Sequence, residues 1–100
     1  MPKGIMTVHS APTSDVDAAG YHDWYDNAHI PELLAVEGFA SATRYDAVEG
    51  DDFIAVYELD LDPDVARANL EAAQARGTMT RPVGMRLDPP PTVRYFRARG

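Results

Sequence analysis

Two histidines and a carboxylate, His22, Asp26 and His29, recur at helical spacing in the first third of the chain. At about 100° per residue, with Tyr21 at zero, His22 and His29 point near 100° and 80°. Asp26 follows His22 by four residues and precedes His29 by three, so on a helix it can reach either ring. We therefore predict that His29 is a catalytic acid–base group oriented by Asp26. The alternative is an amphipathic helix with solvated histidines at its edge.

Aromatic side chains fill the neighbouring face of the same predicted helix. Tyr21, Trp24, Tyr25 and Ala28 fall between about 300° and 40°, one continuous apolar surface. We expect Trp24 and Tyr25 to contribute to the wall of a substrate pocket and to the core. This face predicts that the helix packs on the rest of the domain.

Three further candidates lie on predicted strands. Tyr45 is predicted to be catalytic, as a donor to a substrate oxygen, and Tyr57 and His9 to contact substrate. A buried tyrosine also commonly satisfies its hydroxyl locally. His9 ends the first strand and faces either a pocket or a subunit interface, and the sequence leaves both open. For His29, the alternative role is a hydrogen bond to the backbone near Pro31.

Composition limits the classes of function. The chain has 100 residues, a net charge of −7 and no cysteine, which excludes disulfides and thiolate chemistry. The acidic balance argues against nucleic acid as a partner. Residues 1–62 carry −11 and residues 63–100 carry +4. Neither a signal peptide nor a membrane span is predicted, so we expect a cytoplasmic protein.

The hydrophobic pattern predicts one domain over residues 1–100, with the element order β-α-β-β-α-β. Pro31 should kink the first helix, Asp62 with Pro63 should start the second, and Gly77 should close it. The glycine- and proline-rich residues 77–91 are a candidate lid, dimer arm or connector. The predicted elements are strands Ile5–His9, Phe39–Val48, Phe53–Leu61 and Thr92–Arg99, a helix from Ser14 to about Ile30, and a helix Asp64–Arg76.

This order is typical of an α+β, ferredoxin-like fold, a four-stranded antiparallel sheet with both helices on one face. On the third strand, Phe53, Ala55, Tyr57 and Leu59 alternate with Ile54 and Val56. The second set leaves the other face of the sheet half apolar. We therefore expect two sheets to pair face to face in a homodimer.

The string DWYDNAHIPE at residues 23–32, followed by Leu34, Gly38-Phe39, Arg44-Tyr45 and FIAVYEL at 53–59, resembles the EthD-like branch of the dimeric α/β-barrel superfamily. The resemblance implies a homodimer with a pocket between sheet and helices in each subunit. Relatives in that superfamily include lactone isomerases, polyketide cyclases and cofactor-free oxygenases, and some bind haem. The branch usually carries Glu before the histidine, where this chain has Ala28.

These observations predict a small enzyme without a cofactor that acts on a compact, apolar, oxygen-bearing molecule such as a lactone or polyketide-like aromatic. His29 would move a proton, giving isomerase, cyclase or lyase chemistry. One alternative is a monooxygenase, cofactor-free or haem-linked, and another is a non-catalytic small-molecule-binding protein. His22, Asp26 and His29 do not match an established metal-ligand signature, so we expect no metal site.

Overall fold

The computed structural model describes residues 2–100. Its sheet contains four antiparallel strands in the order β2-β3-β1-β4. This is the predicted ferredoxin-like α+β arrangement. The strands are β1 (Gly4–Ser10), β2 (Phe39–Asp46), β3 (Phe53–Leu59) and β4 (Thr92–Arg97), and the α-helices are α1 (Ala18–Trp24), α2 (Ile30–Leu34) and α3 (Pro63–Ala75).

A π-helical turn, Tyr25–His29, separates α1 from α2. Here the N–H of Ile30 bonds the carbonyl of Tyr25, five residues back. Pro31 follows, with no N–H to donate and a ring that crowds the carbonyl four residues earlier. The wider turn relieves that crowding and rotates the residues after Tyr25 relative to those before it. The prediction of one regular helix to about Ile30 was therefore wrong: the side chains that follow Tyr25 point in other directions than a regular helix would give them.

Helix α3 begins as the sequence predicts. Asp62 caps it, because its carboxylate accepts from the backbone N–H of Asp64, and Pro63 occupies the first turn. Gly77, which follows the helix, has φ +71°. Small Ala66 and Ala73 are buried, so the helix lies close to its neighbours.

The core lies between the sheet and the helices. Tyr57 and Leu59 of β3 face it, together with Met6 and Val8 of β1. The opposite face carries Ile54 and Val56, both only half-buried, as the alternation predicts.

A β-bulge in β2 changes which residues share a face. The register shifts between Phe39 and Ser41, so Phe39 is in the core whereas Thr43 and Tyr45 lie on the open face. Regular alternation over Phe39–Val48 would put Phe39 and Tyr45 on one side of the sheet, and the extra residue of the bulge places them on opposite sides. Arg44 thereby faces the helices.

Candidate functional site

A cavity of about 540 Å³ lies between the sheet, α3 and the segment after α3. Trp24 and His29 enter it from the first helical region. Its wall is mostly apolar, as in small-molecule sites generally. The apolar lining includes Met6, Val8, Leu33, Leu70, Met79, Met85 and Val93, and the polar lining includes Arg67, Glu71, Gln74, Thr80, Arg81 and Tyr95.

His29 is held in this cavity by aromatic packing. Its ring stacks on Trp24 with centroids 4.6 Å apart and planes inclined by 25°. The edge of Tyr25 packs on it at 5.1 Å. Within residues 2–100 neither ring nitrogen forms a hydrogen bond, so the alternative of a bond to the backbone near Pro31 is not realised. Neither nitrogen is occupied by another of the described residues.

Burial lowers the pKa of His29 from 6.5 to about 4, because the imidazolium would lose its hydration. The carboxylate of Glu32, one turn further along the chain, acts in the opposite direction without offsetting burial. The ring is therefore neutral at neutral pH, with one donor and one acceptor nitrogen.

This pKa predicts a pH dependence of stability. Between about pH 6.5 and about pH 4 the unfolded chain binds a proton at His29 that the folded chain does not, so stability falls as the pH falls through this window. The full loss is on the order of 3 kcal/mol. Urea unfolding of wild type and His29→Gln at both ends of the window should show a smaller loss in the variant. Equal losses in the two proteins would contradict the buried, neutral imidazole.

Asp26 does not orient His29. Its Oδ1 accepts from Nη1 of Arg44 at 3.2 Å, and the same nitrogen lies 3.0 Å from Nδ1 of His22. The π-helical turn places His29 on the cavity side, while His22 and Asp26 remain beside β2. The expectation that Asp26 touches the His29 ring was based on a regular helix and is corrected here.

Arg44 is the residue of this cluster that the sequence analysis missed. Its guanidinium carbon lies 4.3 Å from the ring centre of Tyr25 and 5.5 Å from that of Phe53. Its Nε and Nη2 are buried without hydrogen-bond partners, and the aromatic faces supply the favourable contact instead. One signal was available: the first 62 residues contain only two basic residues.

Tyr25 and Tyr57 are fully buried in the core and do not line the cavity. Burial raises the pKa of Tyr25 to about 12 and that of Tyr57 still further. The two phenols are close enough to affect each other's pKa, yet neither hydroxyl makes a hydrogen bond of good geometry. Tyr25 therefore packs against His29 from the core side. Tyr57 does not line the cavity, so its position does not support the predicted contact with a substrate.

Tyr45 and His9 lie on or beside the open face of the sheet, away from His29. Tyr45 pairs with Ile54 across β2 and β3 and is 53% exposed. His9 hydrogen-bonds Asp52 and lines a second, smaller cavity of about 290 Å³ with Arg86. Tyr45 and His9 therefore do not share a site with His29 in this chain, because the sheet separates these two residues from His29.

The cavity instead contains a tyrosine that the sequence analysis did not single out. Tyr95 of β4 is half-buried, and burial raises its pKa, so it stays a neutral donor. Its strand was predicted, and regular alternation places Tyr95 on the same side as Val93, which also lines the cavity.

No group of three His, Cys, Asp or Glu side chains in residues 2–100 is placed to hold a metal ion. Within the same residues, no helix is long and apolar enough to cross a membrane.

The fold matches a known crystal structure, that of a monooxygenase from the gene ActVA-Orf6 of Streptomyces coelicolor in complex with the ligand nanaomycin D. The TM-score is 0.58 at 18% sequence identity, over 97% of this chain and 88% of that chain. At this identity the likeness establishes the fold alone. No protein-family model matches the chain, and no curated protein matches it.

Proposed function

We propose that this protein is an oxygenase whose cavity binds a compact aromatic molecule with an acidic proton, such as a phenol or its keto tautomer. The observation that supports it best is His29, a neutral imidazole with both ring nitrogens free in a mostly apolar cavity. At neutral pH such a ring accepts a proton without first losing one.

The surroundings of His29 favour this substrate over a simple lactone or ketone. No carboxylate of residues 2–100 hydrogen-bonds the ring, so its imidazolium form lacks a bonded counter-charge. A substrate that becomes an aromatic oxyanion would provide that charge itself and raise the pKa of the ring. The anion of a simple ketone or lactone is too basic for so weak a proton acceptor.

The reaction balances without a further reductant. His29 takes one proton from the substrate, the resulting anion transfers electrons to O2, and a C–O bond forms. The O–O bond then breaks, and the ring carbon that has formed the C–O bond loses its remaining hydrogen as a proton. Both protons leave with the outer oxygen as water, so one substrate and one O2 give one quinone and one water. The substrate supplies all four electrons, so the proposed step needs no cofactor.

Two further observations support this proposal. The protein of matching fold is described as a monooxygenase bound to nanaomycin D. The residues from Asp23 to Glu32 resemble the EthD-like branch, whose superfamily includes cofactor-free oxygenases, and we propose membership of that branch.

The isomerase, cyclase or lyase chemistry predicted from the sequence is the second candidate. It uses the same His29, and the nearby Glu32 favours the protonated ring. This chemistry was predicted with Asp26 orienting the His29 ring, but Asp26 binds Arg44 instead. A binding protein without catalysis is the remaining alternative.

Oxygen uptake with dithranol, a dihydroxyanthrone, separates these candidates. An oxygenase should consume one O2 per dithranol and form the quinone above the buffer background. The Trp24→Phe variant should retain most of this activity, because a ring still stacks on His29. Binding without oxygen uptake would contradict the oxygenase and leave the other candidates.

We also propose that the open sheet face forms a homodimer. Ile5, Ile54, Val56 and Phe96 lie on this face and remain partly exposed in the single chain. Pairing of two such faces would remove them from water.

Ile54→Asp should therefore yield monomers, because a carboxylate buried without a partner is costly. Light scattering at micromolar concentration measures this. Val48→Asp, at a fully exposed position, is the matched control and should leave the dimer intact. A wild-type protein with the mass of one chain would contradict the dimer.

A further inference from the structure

Most residues that line the cavity come from the basic part of the chain, and the exposed ones among them, including Arg67 and Arg81, form what we call the mouth of the cavity. Residues 1–62 carry −11, whereas residues 63–100, which form α3, the following segment and β4, carry +4. Two arginines of this part, Arg67 and Arg81, line the cavity. We infer that the ligand is amphipathic: its apolar body lies beside Trp24 and His29, and a carboxylate at its other end binds Arg81. This inference rests on the small-molecule site of the proposed function.

Arg81 is held at the mouth by its neighbour. The carboxylate of Glu32 accepts the N–H of Thr80 at 3.1 Å on both oxygens and the hydroxyl of Thr80 at 2.8 Å. Glu32 lies on α2, three residues after His29, so these hydrogen bonds join the loop to the helix that directly follows the proton acceptor. The backbone beside Arg81 is thereby fixed against the cavity.

The guanidinium of Arg81 itself has no partner. It forms neither an ion pair nor a hydrogen bond with any of residues 2–100. The nearby Glu32 carboxylate is bound to Thr80, so the Arg81 guanidinium at the entrance of the cavity keeps its donors available to a ligand. Its planar donors match a carboxylate in two-point geometry.

The other charges of the mouth do not cancel Arg81. Arg67 bonds Asp64 at 3.1 Å and lies 5.3 Å from the ring centre of Tyr95. Glu71 also lines the cavity and follows Arg67 by four residues on α3, the spacing at which opposite charges on a helix attract each other. Arg67 thus has an ion-pair partner in Asp64 and an aromatic contact in Tyr95, whereas Arg81 has neither, and we assign the ligand's carboxylate to Arg81.

Calorimetric titration with naphthoate and its neutral isostere naphthalenemethanol tests the inference. Naphthoate should bind more tightly than the alcohol at low salt, and added salt should reduce this difference. Arg81→Gln should weaken naphthoate by about tenfold and leave the alcohol unchanged, as expected for one charge-assisted contact. Arg76→Gln is the matched control, since Arg76 does not line the cavity.

The outcomes separate this inference from the proposed function. Binding of both probes with equal affinity, or naphthoate binding that Arg81→Gln leaves unchanged, would overturn the carboxylate assignment and keep the cavity as a ligand site. Failure of both probes to bind would overturn the ligand site as well. If Arg76→Gln lost as much naphthoate affinity as Arg81→Gln, the effect would come from the net positive charge of this surface. That result would overturn the assignment of the carboxylate to Arg81.

Discussion

His29→Ala should lower the rate of dithranol oxidation by about a hundredfold to ten-thousandfold, the usual contribution of a general acid–base group. The variant loses the one imidazole that lines the cavity among residues 2–100, while Tyr95, which stays, is a neutral donor. Initial rates of oxygen uptake measure the effect, and circular dichroism verifies the fold.

Two matched variants separate chemistry from structure. His22→Ala and Asp26→Asn remove the groups that share Arg44 on the other side of the helical region, so both should retain nearly full activity. Asp26 is largely exposed, and a surface ion pair contributes little to stability. Wild-type activity in His29→Ala would eliminate the proton-acceptor role of His29 and leave the oxidation to be assigned to other groups of the cavity.

Trp24→Ala should lower the free energy of unfolding by about 3–5 kcal/mol, the largest stability effect that we expect. Trp24 is only 5% exposed and packs on Tyr25 and His29. Truncation removes this contact and enlarges the cavity. Urea unfolding followed by circular dichroism measures the change, since the variant has no other tryptophan.

Trp24→Phe should recover part of this loss, and Val48→Ala should be neutral because Val48 is fully exposed. A normal unfolding midpoint for Trp24→Ala would contradict the packing described for α1. A loss of the expected size would also explain weaker ligand binding by the variant, since His29 would lose the ring on which it stacks.

Much of the fold follows from local signals. Alternation on β3 assigns Tyr57 to the core and Ile54 to the open face, and Asp62 with Pro63 marks the start of α3. These features depend on neighbours in the sequence, so the sequence predicts them. The aromatic face of α1, with Tyr21 and Trp24 buried, is confirmed for the same reason.

Two irregularities account for the misplaced site residues. The bulge between Phe39 and Ser41 places Tyr45 on the open face and turns Arg44 inward. The π-helical turn before Pro31 separates His29 from Asp26. The bulge and the π-helical turn each add a residue to an otherwise regular element. Sequence analysis assumes a constant period of 2.0 residues for strands and 3.6 for helices, so it misplaces every side chain that follows such an added residue.

The remaining lining of the cavity depends on long-range contacts. Tyr95 lines the same cavity as His29 because β4 pairs with β1. Arg81 does so because the neighbouring Thr80 hydrogen-bonds Glu32, 48 residues away along the chain. No local pattern in the sequence encodes these pairings. The sequence singled out His29 as a candidate because it lies in a distinctive local motif, and it did not single out the other lining residues because they do not.

The most direct test of a neutral, ligand-contacting His29 is an NMR titration of its ring nitrogens with and without naphthalenemethanol. The structure predicts a pKa of about 4 for His29 and ring-nitrogen signals that shift when the probe is added. His9 and His22, outside the cavity, should show no such shift with the probe. A pKa of His29 near the ordinary 6.5, with signals that the probe leaves unmoved, would contradict the proposed site.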